Sequence, residues 1–138
     1  MKKVLAASIV GATLVVSGCK TVTSMSSVEL MDTEKVTDRM LYSGYSWNDR
    51  DEKILTEMVI RKLVRPEYVP AVREGQPMPG MTISELKATC GPEAKVNVTN
   101  SRSGVDAFHY YYKGTFLGCH YLQYAYTKDG VVVSVKYR

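Results

Sequence analysis

The residues best suited to chemistry in this sequence are three cysteines and two histidines. Cys119 and His120 are neighbours, and neighbouring residues on a strand point to opposite faces. His120 is therefore poorly placed to serve Cys119 as a base or to share a metal ion with it. Together with Cys90 and His109 they lack zinc-finger spacing, and the chain contains no His-Glu-x-x-His motif. We predict no catalytic residues, no metal site and no cofactor, and expect a protein that is not an enzyme.

Cys90 and Cys119 leave two interpretations open. In an oxidising compartment they are expected to form a disulfide, which would stabilise so small a domain by roughly 3–4 kcal/mol. The alternative is two separate or buried thiols. If Tyr124 and Tyr126 face the helices, strict alternation turns Cys119 outward, unless a bulge at Gly118 turns it back.

The first residues of the chain indicate its compartment. Lys2 and Lys3 precede an apolar run over residues 4–16, whose 13 residues fall short of the roughly 20 needed to cross a bilayer. The following Val-Ser-Gly-Cys resembles the lipobox of bacterial lipoproteins. This resemblance implies that residues 1–18 are a cleaved signal peptide and that Cys19 becomes acylated, with palmitate among the expected groups. Lys20, where sorting to the inner membrane would favour Asp, implies the outer membrane, facing the periplasm; an ordinary signal peptide with an incidental Cys19 is the alternative.

The mature chain would be one small domain without a nucleic-acid footprint. Removing residues 1–18 leaves 120 residues and lowers the formal net charge from +4 to +2. Residues 19–41 contain seven Ser or Thr and no apolar periodicity, so we predict a lipidated cysteine followed by a flexible tether. Residues 42–138 are predicted to form the single domain.

Two helices are predicted in the first half of that domain. One is capped by Asn48 or Asp49 and ends before Pro66; its apolar residues recur at three- and four-residue steps (Ile54, Leu55, Met58, Val59, Leu63). Residues 66–80 hold four of the five prolines and read as a loop. The second helix starts with the Thr82–Glu85 capping box and is ended by Gly91 and Pro92.

The second half changes to the composition of strands. Three stretches rich in β-branched and aromatic residues are separated by turns at Lys113-Gly114 and Lys128-Asp129-Gly130, and residues 93–98 offer a further short strand. The last strand is expected to cover its odd-numbered face (Val131, Val133, Val135, Tyr137). The predicted fold class is α+β, with two helices packed on one face of a three- to four-stranded antiparallel β-meander.

Tyrosine is the most unusual feature of these strands. Seven of the ten tyrosines lie there, and consecutive strand residues alternate faces, so some must be exposed and suited to a protein interface. We predict that Tyr111 is exposed, opposite a core set of Phe108, Tyr110 and Tyr112, and that it forms an interface with the positions Tyr121 and Trp47. The alternative is that the tyrosines merely fill a small sheet.

The second half resembles the BamE (SmpA/OmlA) outer-membrane lipoproteins and the related fold of β-lactamase-inhibitor proteins. The resemblance rests on Gly80-Met81-Thr82, Cys90-Gly91-Pro92, an aromatic strand over Phe108–Tyr112, and the hairpin over Tyr124–Val133. It implies the α+β fold above and a non-enzymatic accessory subunit of the β-barrel assembly machinery. The predicted partners are therefore envelope proteins and, through the lipid anchor, the membrane, with no nucleic acid.

Residues 35–63 resemble a second family, the LpoB-type lipoproteins that activate penicillin-binding proteins in peptidoglycan synthesis. The resemblance rests on a helix start with Gly44, Trp47, Asn48, Asp49 and Asp51. It implies an alternative function as activator of a cell-wall synthase. The predicted tether has a root-mean-square reach of only ~25 Å, which favours work near the outer membrane.

Overall fold

The computed structural model describes residues 21–47, 50–111, 119 and 121–138, and of Trp47 it describes the backbone alone. In chain order, the helices within these ranges are α1 (Ser27–Leu30), α2 (Asp38–Trp47), α3 (Glu52–Ile60), α4 (Val69–Glu74) and α5 (Ile83–Cys90). The strands are β1 (Lys95–Ser101), β2 (Gly104–Tyr110), β3 (Leu122–Lys128) and β4 (Val131–Tyr137). Short 3-10 turns occupy Val22–Ser24 and Pro66–Tyr68.

The strands form one four-stranded antiparallel sheet in the order β1-β2-β3-β4, which confirms the α+β class and the meander. β3 and β4 are joined by the predicted turn, where Asp129 and Gly130 have φ values of 50° and 80°. Positive φ at both central residues matches the twist of the two strands, and Asp-Gly tolerates it well. The predicted Lys113-Gly114 turn lies outside the described residues.

Residues 21–41 are part of the folded domain, so the predicted flexible tether is wrong over these residues. Val22, Leu30, Val36 and Leu41 are all buried in the core. α1 carries a capping box between Ser26 and Glu29. The few apolar residues are spaced too irregularly to give a helical period, which is why the sequence reads as a polar linker.

Arg61 fastens this N-terminal segment to α3. Its guanidinium donates to the backbone oxygens of Leu30 (2.8 Å) and Val36 (2.6 Å), and its Nε donates to Glu57 Oε1 (2.9 Å). Only 9% of the Arg61 side chain and 5% of the Glu57 side chain are exposed. The ion pair with Glu57 fixes the Arg61 side chain at the end of α3, because leaving either buried charge unpaired is costly. The hydrogen bonds of Arg61 to Leu30 O and Val36 O then hold the segment.

The helical layer is larger than predicted, with five α-helices within the described ranges instead of two. α3 begins after Asp51, whose Oδ1 accepts from Lys53 N (2.9 Å), whereas the predicted caps Asn48 and Asp49 lie outside the described residues. α4 lies in the stretch predicted as loop. Pro70 is tolerated near its start and Gly75 ends it in the left-handed conformation.

The inner face of the sheet is buried along β2 and β3. Ala107 and His109 of β2 and Ala125 and Thr127 of β3 are buried, while the alternating aromatic residues are half-buried on the other face. Large side chains from the helices, including Tyr45, Ile54, Met58 and Leu86, complete the core. Helix and strand residues belong to one buried cluster.

β4 does not follow the predicted alternation. Val132 is buried and Val135 is half-buried, while Val131, Val133 and Tyr137 are exposed. The register shifts where Tyr126 pairs with Ser134 but Thr127 pairs with Val132, so Val133 is left without an opposite residue. This bulge moves the inward positions from even to odd numbers, and the prediction of an odd-numbered covered face is wrong except at Val135.

α5 has the predicted capping box and glycine end. Glu85 N donates to Thr82 Oγ1 (3.2 Å), Thr82 N donates to Glu85 Oε1 (2.9 Å), and Gly91 has a φ of 75°. Arg65 adds its backbone amide (3.0 Å) and guanidinium (2.7 Å) to the buried Glu85 carboxylate. Burial alone would raise the pKa of Glu85, but these hydrogen bonds outweigh it and hold the pKa below its usual value.

The end of α5 is linked to the chain shortly before β3. Cys90 and Cys119 are disulfide-bonded, with their Cα atoms 4.9 Å apart, and both are buried. Because Tyr124 and Tyr126 face away from the helices, the alternation that would have turned Cys119 outward does not arise. At the start of α5, Gly80 N donates to Val132 O (2.8 Å) and Val132 N donates to Met81 O (2.7 Å), so this segment also covers the edge of β4.

Candidate interaction surface

Four aromatic side chains form a cluster on the outer face of the sheet, which we call the outer aromatic surface: Phe108, Tyr110, Tyr124 and Tyr126. Phe108 pairs across the strands with Tyr126, and Tyr110 with Tyr124. The ring of Phe108 lies 4.9 Å from that of Tyr126, 5.5 Å from Tyr124 and 6.4 Å from Tyr110. Each of the four residues is half-buried. Pairs at these distances hold each other in position, so the cluster presents a preformed surface to solvent.

Polar groups frame this surface. Tyr126 Oη donates to Asp106 Oδ1 (2.8 Å), and this bond raises the pKa of the Tyr126 hydroxyl. Lys136 Nζ lies over the Tyr124 ring, 5.9 Å from its centre, within reach of a cation–π contact. An aromatic centre with a polar and charged rim is the arrangement found in protein–protein interfaces.

β1 is the free edge of the described sheet on this side. All seven of its residues are exposed, including Val96 and Val98, and its outer-face residues Lys95 and Asn97 pair with Tyr110 and Phe108. Since the edge adjoins the aromatic cluster, a bound chain could contact the rings and also hydrogen-bond to the β1 backbone.

Tyr111 is buried, so the prediction that it forms an exposed interface is wrong. It lies on the inner side with Ala107 and His109, while Phe108 and Tyr110, predicted as core, lie on the outer face. Burial, with a smaller contribution from Glu93, strongly raises the pKa of the Tyr111 hydroxyl. The faces were assigned backwards because the aromatic residues Phe108 and Tyr110 were taken as the core, whereas the inner face of β2 and β3 is lined by Ala107, Ala125 and Thr127 together with His109 and Tyr111. The signal in the sequence was the alternation of Ala107, Ala125 and Thr127 with the aromatics.

The other predicted site residues have different outcomes. Tyr121 is 70% exposed, as an interface residue should be, and its backbone oxygen accepts from Arg138 N (2.8 Å). Cys19 and the side chain of Trp47 lie outside the described residues, so their predicted roles stay predictions. Cys90 and Cys119 are brought together in the disulfide.

A small polar pocket opens between α2 and the end of α5, with a volume of about 290 Å³. It is lined by Arg39, Tyr42, Ser43, Lys87, Pro92 and Glu93. None of these six carries an imidazole or a thiol. His109 is close enough for Glu93 to raise its pKa and Lys87 to lower it, but burial dominates and the pKa of His109 lies below its usual value. The pocket presents the hydroxyl groups of Tyr42 and Ser43 and the charged groups of Arg39, Lys87 and Glu93.

Within the described ranges, no helix is long and apolar enough to cross a membrane. In the same part of the chain, no group of three or more His, Cys, Asp or Glu side chains is placed to hold a metal ion. Comparison of the chain with protein-family models, with curated proteins and with solved structures found no match.

Proposed function

We propose that the protein is a lipoprotein anchored in the outer membrane through Cys19, facing the periplasm, and that it acts without enzymatic activity as a protein-interaction module in envelope or outer-membrane protein assembly. The observation that carries the interaction role is the outer aromatic surface. Four rings are held on a solvent-facing sheet by contacts of 4.9–6.4 Å between ring centres, beside an exposed strand edge.

The resemblance to BamE-type lipoproteins supports a partner in the β-barrel assembly machinery. The motifs that carry it include the capped start of α5 and the Asp129-Gly130 hairpin, both of which occur as predicted. The buried Cys90–Cys119 disulfide suits an oxidising periplasm.

The short reach of the anchor supports work close to the membrane. With residues 21–41 in the fold, only Lys20 separates Cys19 from Thr21, and two residue steps span about 7 Å at most. The alternative function, an LpoB-like activator of a penicillin-binding protein, keeps the support of its resemblance over residues 35–63. It would require the synthase to approach the outer membrane.

Site-specific photocrosslinking in cells tests the interaction role. A benzophenone amino acid at Tyr110, on the outer aromatic surface, should crosslink to an envelope protein, while the same probe at the exposed Ile60 of α3 serves as control. Phe108→Ala should lower the Tyr110 crosslink at least tenfold, because removing a central aromatic anchor typically weakens binding by about 2 kcal/mol or more. Phe108→Ala also removes three ring pairs, each of which stabilises by roughly 0.5–1.5 kcal/mol, so denaturant unfolding must show that the variant remains folded under the conditions of the crosslinking.

The identity of the captured protein separates the two functions, since one predicts a component of the β-barrel assembly machinery and the other a penicillin-binding protein. Crosslinks at Ile60 with none at Tyr110 would show that the surface is wrongly chosen. Cys19→Ala should remove the protein from the outer-membrane fraction. Unchanged fractionation of this variant would refute the lipid anchor.

A further inference from the structure

Three buried polar atoms without a hydrogen-bond partner lie near the start of β1. They are Glu93 Oε2, His109 Nδ1 and Tyr111 Oη, and none of them is hydrogen-bonded to any other residue that the structure describes. His109 is only 3% exposed and Tyr111 only 8%. Buried polar groups in folded proteins are nearly always hydrogen-bonded, because the bonds that they lose with water must be replaced. The three atoms therefore require a bound molecule that supplies hydrogen bonds, either water or a ligand.

The pairing of β1 with β2 brings these three side chains together. Ala94 N donates to Tyr110 O (2.8 Å), so Glu93, the residue before Ala94, lies beside the end of β2. His109 and Tyr111 are two residues apart and both are buried on the inner side of the sheet. Burial has the largest effect on the pKa of both side chains, lowering that of His109 and raising that of Tyr111, and the nearby Glu93 carboxylate shifts both upward.

The hydrogen bonds around His109 define what the missing partner must offer. The Thr127 hydroxyl donates to Ala107 O (3.4 Å), and its oxygen lies 3.2 Å from His109 Nε2. Because the hydroxyl proton is already engaged, Nε2–H donates to Thr127, and Nδ1 of the neutral ring is left as an acceptor. Glu93 Oε2, a carboxylate oxygen, is an acceptor as well. Two buried acceptors require a donor, and an ammonium group is the strongest donor for a carboxylate.

The polar pocket between α2 and the end of α5 adjoins this group through Glu93, which lines it together with Arg39 and Lys87. Neither the Arg39 nor the Lys87 side chain forms a hydrogen bond or an ion pair with another residue in the described ranges. Two unpaired cations in one pocket favour a ligand that carries an anionic group. The pocket volume of about 290 Å³ is at the small end of ligand pockets, which enclose roughly 300–1,000 Å³, so it suits a molecule of amino-acid size.

We propose that this pocket binds a small zwitterion of the amino-acid class. Its ammonium group donates to Glu93 and His109, and its carboxylate binds Arg39 and Lys87. The ammonium group lies deeper, because Glu93 Oε2 is buried, and the carboxylate lies nearer to solvent, where Arg39 is exposed. The site is on the inner side of the sheet and the outer aromatic surface is on the opposite side, so a ligand and a protein partner can be bound together. The site does not depend on the proposed interaction function.

Isothermal titration calorimetry of the full chain in detergent tests the site. The probes are alanine, 4-aminobutyrate and 6-aminohexanoate, which carry the same two charges at increasing separation. At least one of them should bind saturably, with one molecule per chain. Ethylammonium and acetate, which each carry one of the two charges, should bind at least about tenfold more weakly, because each loses one set of charged partners. If none of the amino acids binds, or if the singly charged probes bind equally well, the site is refuted and water alone meets the three buried atoms.

Glu93→Gln and Arg39→Gln separate a binding role from a structural one. Each removes a charge from the pocket and should weaken binding of the amino acid at least about tenfold. Without ligand, Glu93→Gln should keep or raise the melting temperature, because a buried carboxylate oxygen without a partner destabilises the protein. Glu74→Gln, at an exposed position on α4, is the control and should change neither quantity. Unchanged affinity in both pocket variants would overturn the proposal, as would a lower melting temperature of Glu93→Gln with unchanged affinity.

Discussion

Gly44 gives a direct test of whether residues 21–24 are folded onto α2. Gly44 lies inside α2, and a Cβ built there would collide with the Cγ2 of Val22. If residues 19–41 were a flexible tether, nothing would oppose a side chain, and Gly44→Ala would simply improve the helix. Gly44→Ala should therefore raise the free energy of unfolding if the N-terminal segment is a flexible tether, and lower it if the segment is packed on α2.

The sizes of two opposing effects decide whether Gly44→Ala stabilises or destabilises the protein. Replacing Gly by Ala in a helix interior stabilises by roughly 0.8–1 kcal/mol. Val22 is buried, and expelling a Val side chain from a core costs about 1.5–3 kcal/mol. The two methyl groups on its Cβ restrict the χ1 rotation of Val22, so the side chain cannot turn aside at low cost. We expect Gly44→Ala to lower the free energy of unfolding by about 0.5–2 kcal/mol.

Denaturant unfolding of the wild type, Gly44→Ala, Val22→Ala and the double variant measures the coupling. Removing the Cγ atoms of Val22 relieves the clash, because its Cβ lies at an ordinary contact distance of 3.5 Å. Gly44→Ala should then become neutral or stabilising in the Val22→Ala background, a coupling of 1 kcal/mol or more. A gain of about 1 kcal/mol from Gly44→Ala in the wild-type background would refute the docked segment.

Two further predictions concern the disulfide and the buried histidine. The denatured, unreduced protein should contain no free thiol from Cys90 or Cys119, and two free thiols would contradict the structure. Reducing the disulfide, which closes a loop of 29 residues, should lower the free energy of unfolding by ~3–4 kcal/mol. Because burial holds the pKa of His109 below 6.5, the unfolded chain takes up the proton first, and stability should fall as the pH drops below about 6.5. His109→Gln should flatten the dependence of the melting temperature between pH 7.5 and 5.5, and an unchanged slope would mean that His109 is not buried neutral.

Local signals in the sequence predicted local structure well. The Thr82–Glu85 capping box, the positive φ at Gly91 and the Asp129-Gly130 turn all follow from the chemistry of a few adjacent residues. Each of these devices satisfies its hydrogen bonds or backbone geometry within one turn of chain. Their outcome does not depend on what packs against them.

Features set by tertiary packing were harder to predict. Which face of β2 is covered depends on the size of the helix side chains opposite it, and so Tyr111 was placed on the wrong side. The bulge at Val133 adds one residue to β4, and no local pattern in the sequence predicts its position. The N-terminal segment is stabilised by Arg61, at least 25 residues distant along the chain, and a polar linker composition hides such a contact.

The tight specification of so short a helix as α5 has an explanation in the architecture. Its eight residues are anchored at the start by Glu85 and Arg65 and at the end by the Cys90–Cys119 bond, and the preceding segment pairs with β4. α5 also packs on α2, which holds Val22 and the N-terminal segment. It thus joins the N-terminal segment, which directly follows the proposed anchor at Cys19, to the sheet that carries the outer aromatic surface. A rigid connection between them would fix the height and angle at which the aromatic surface meets a partner, which a flexible tether could not do.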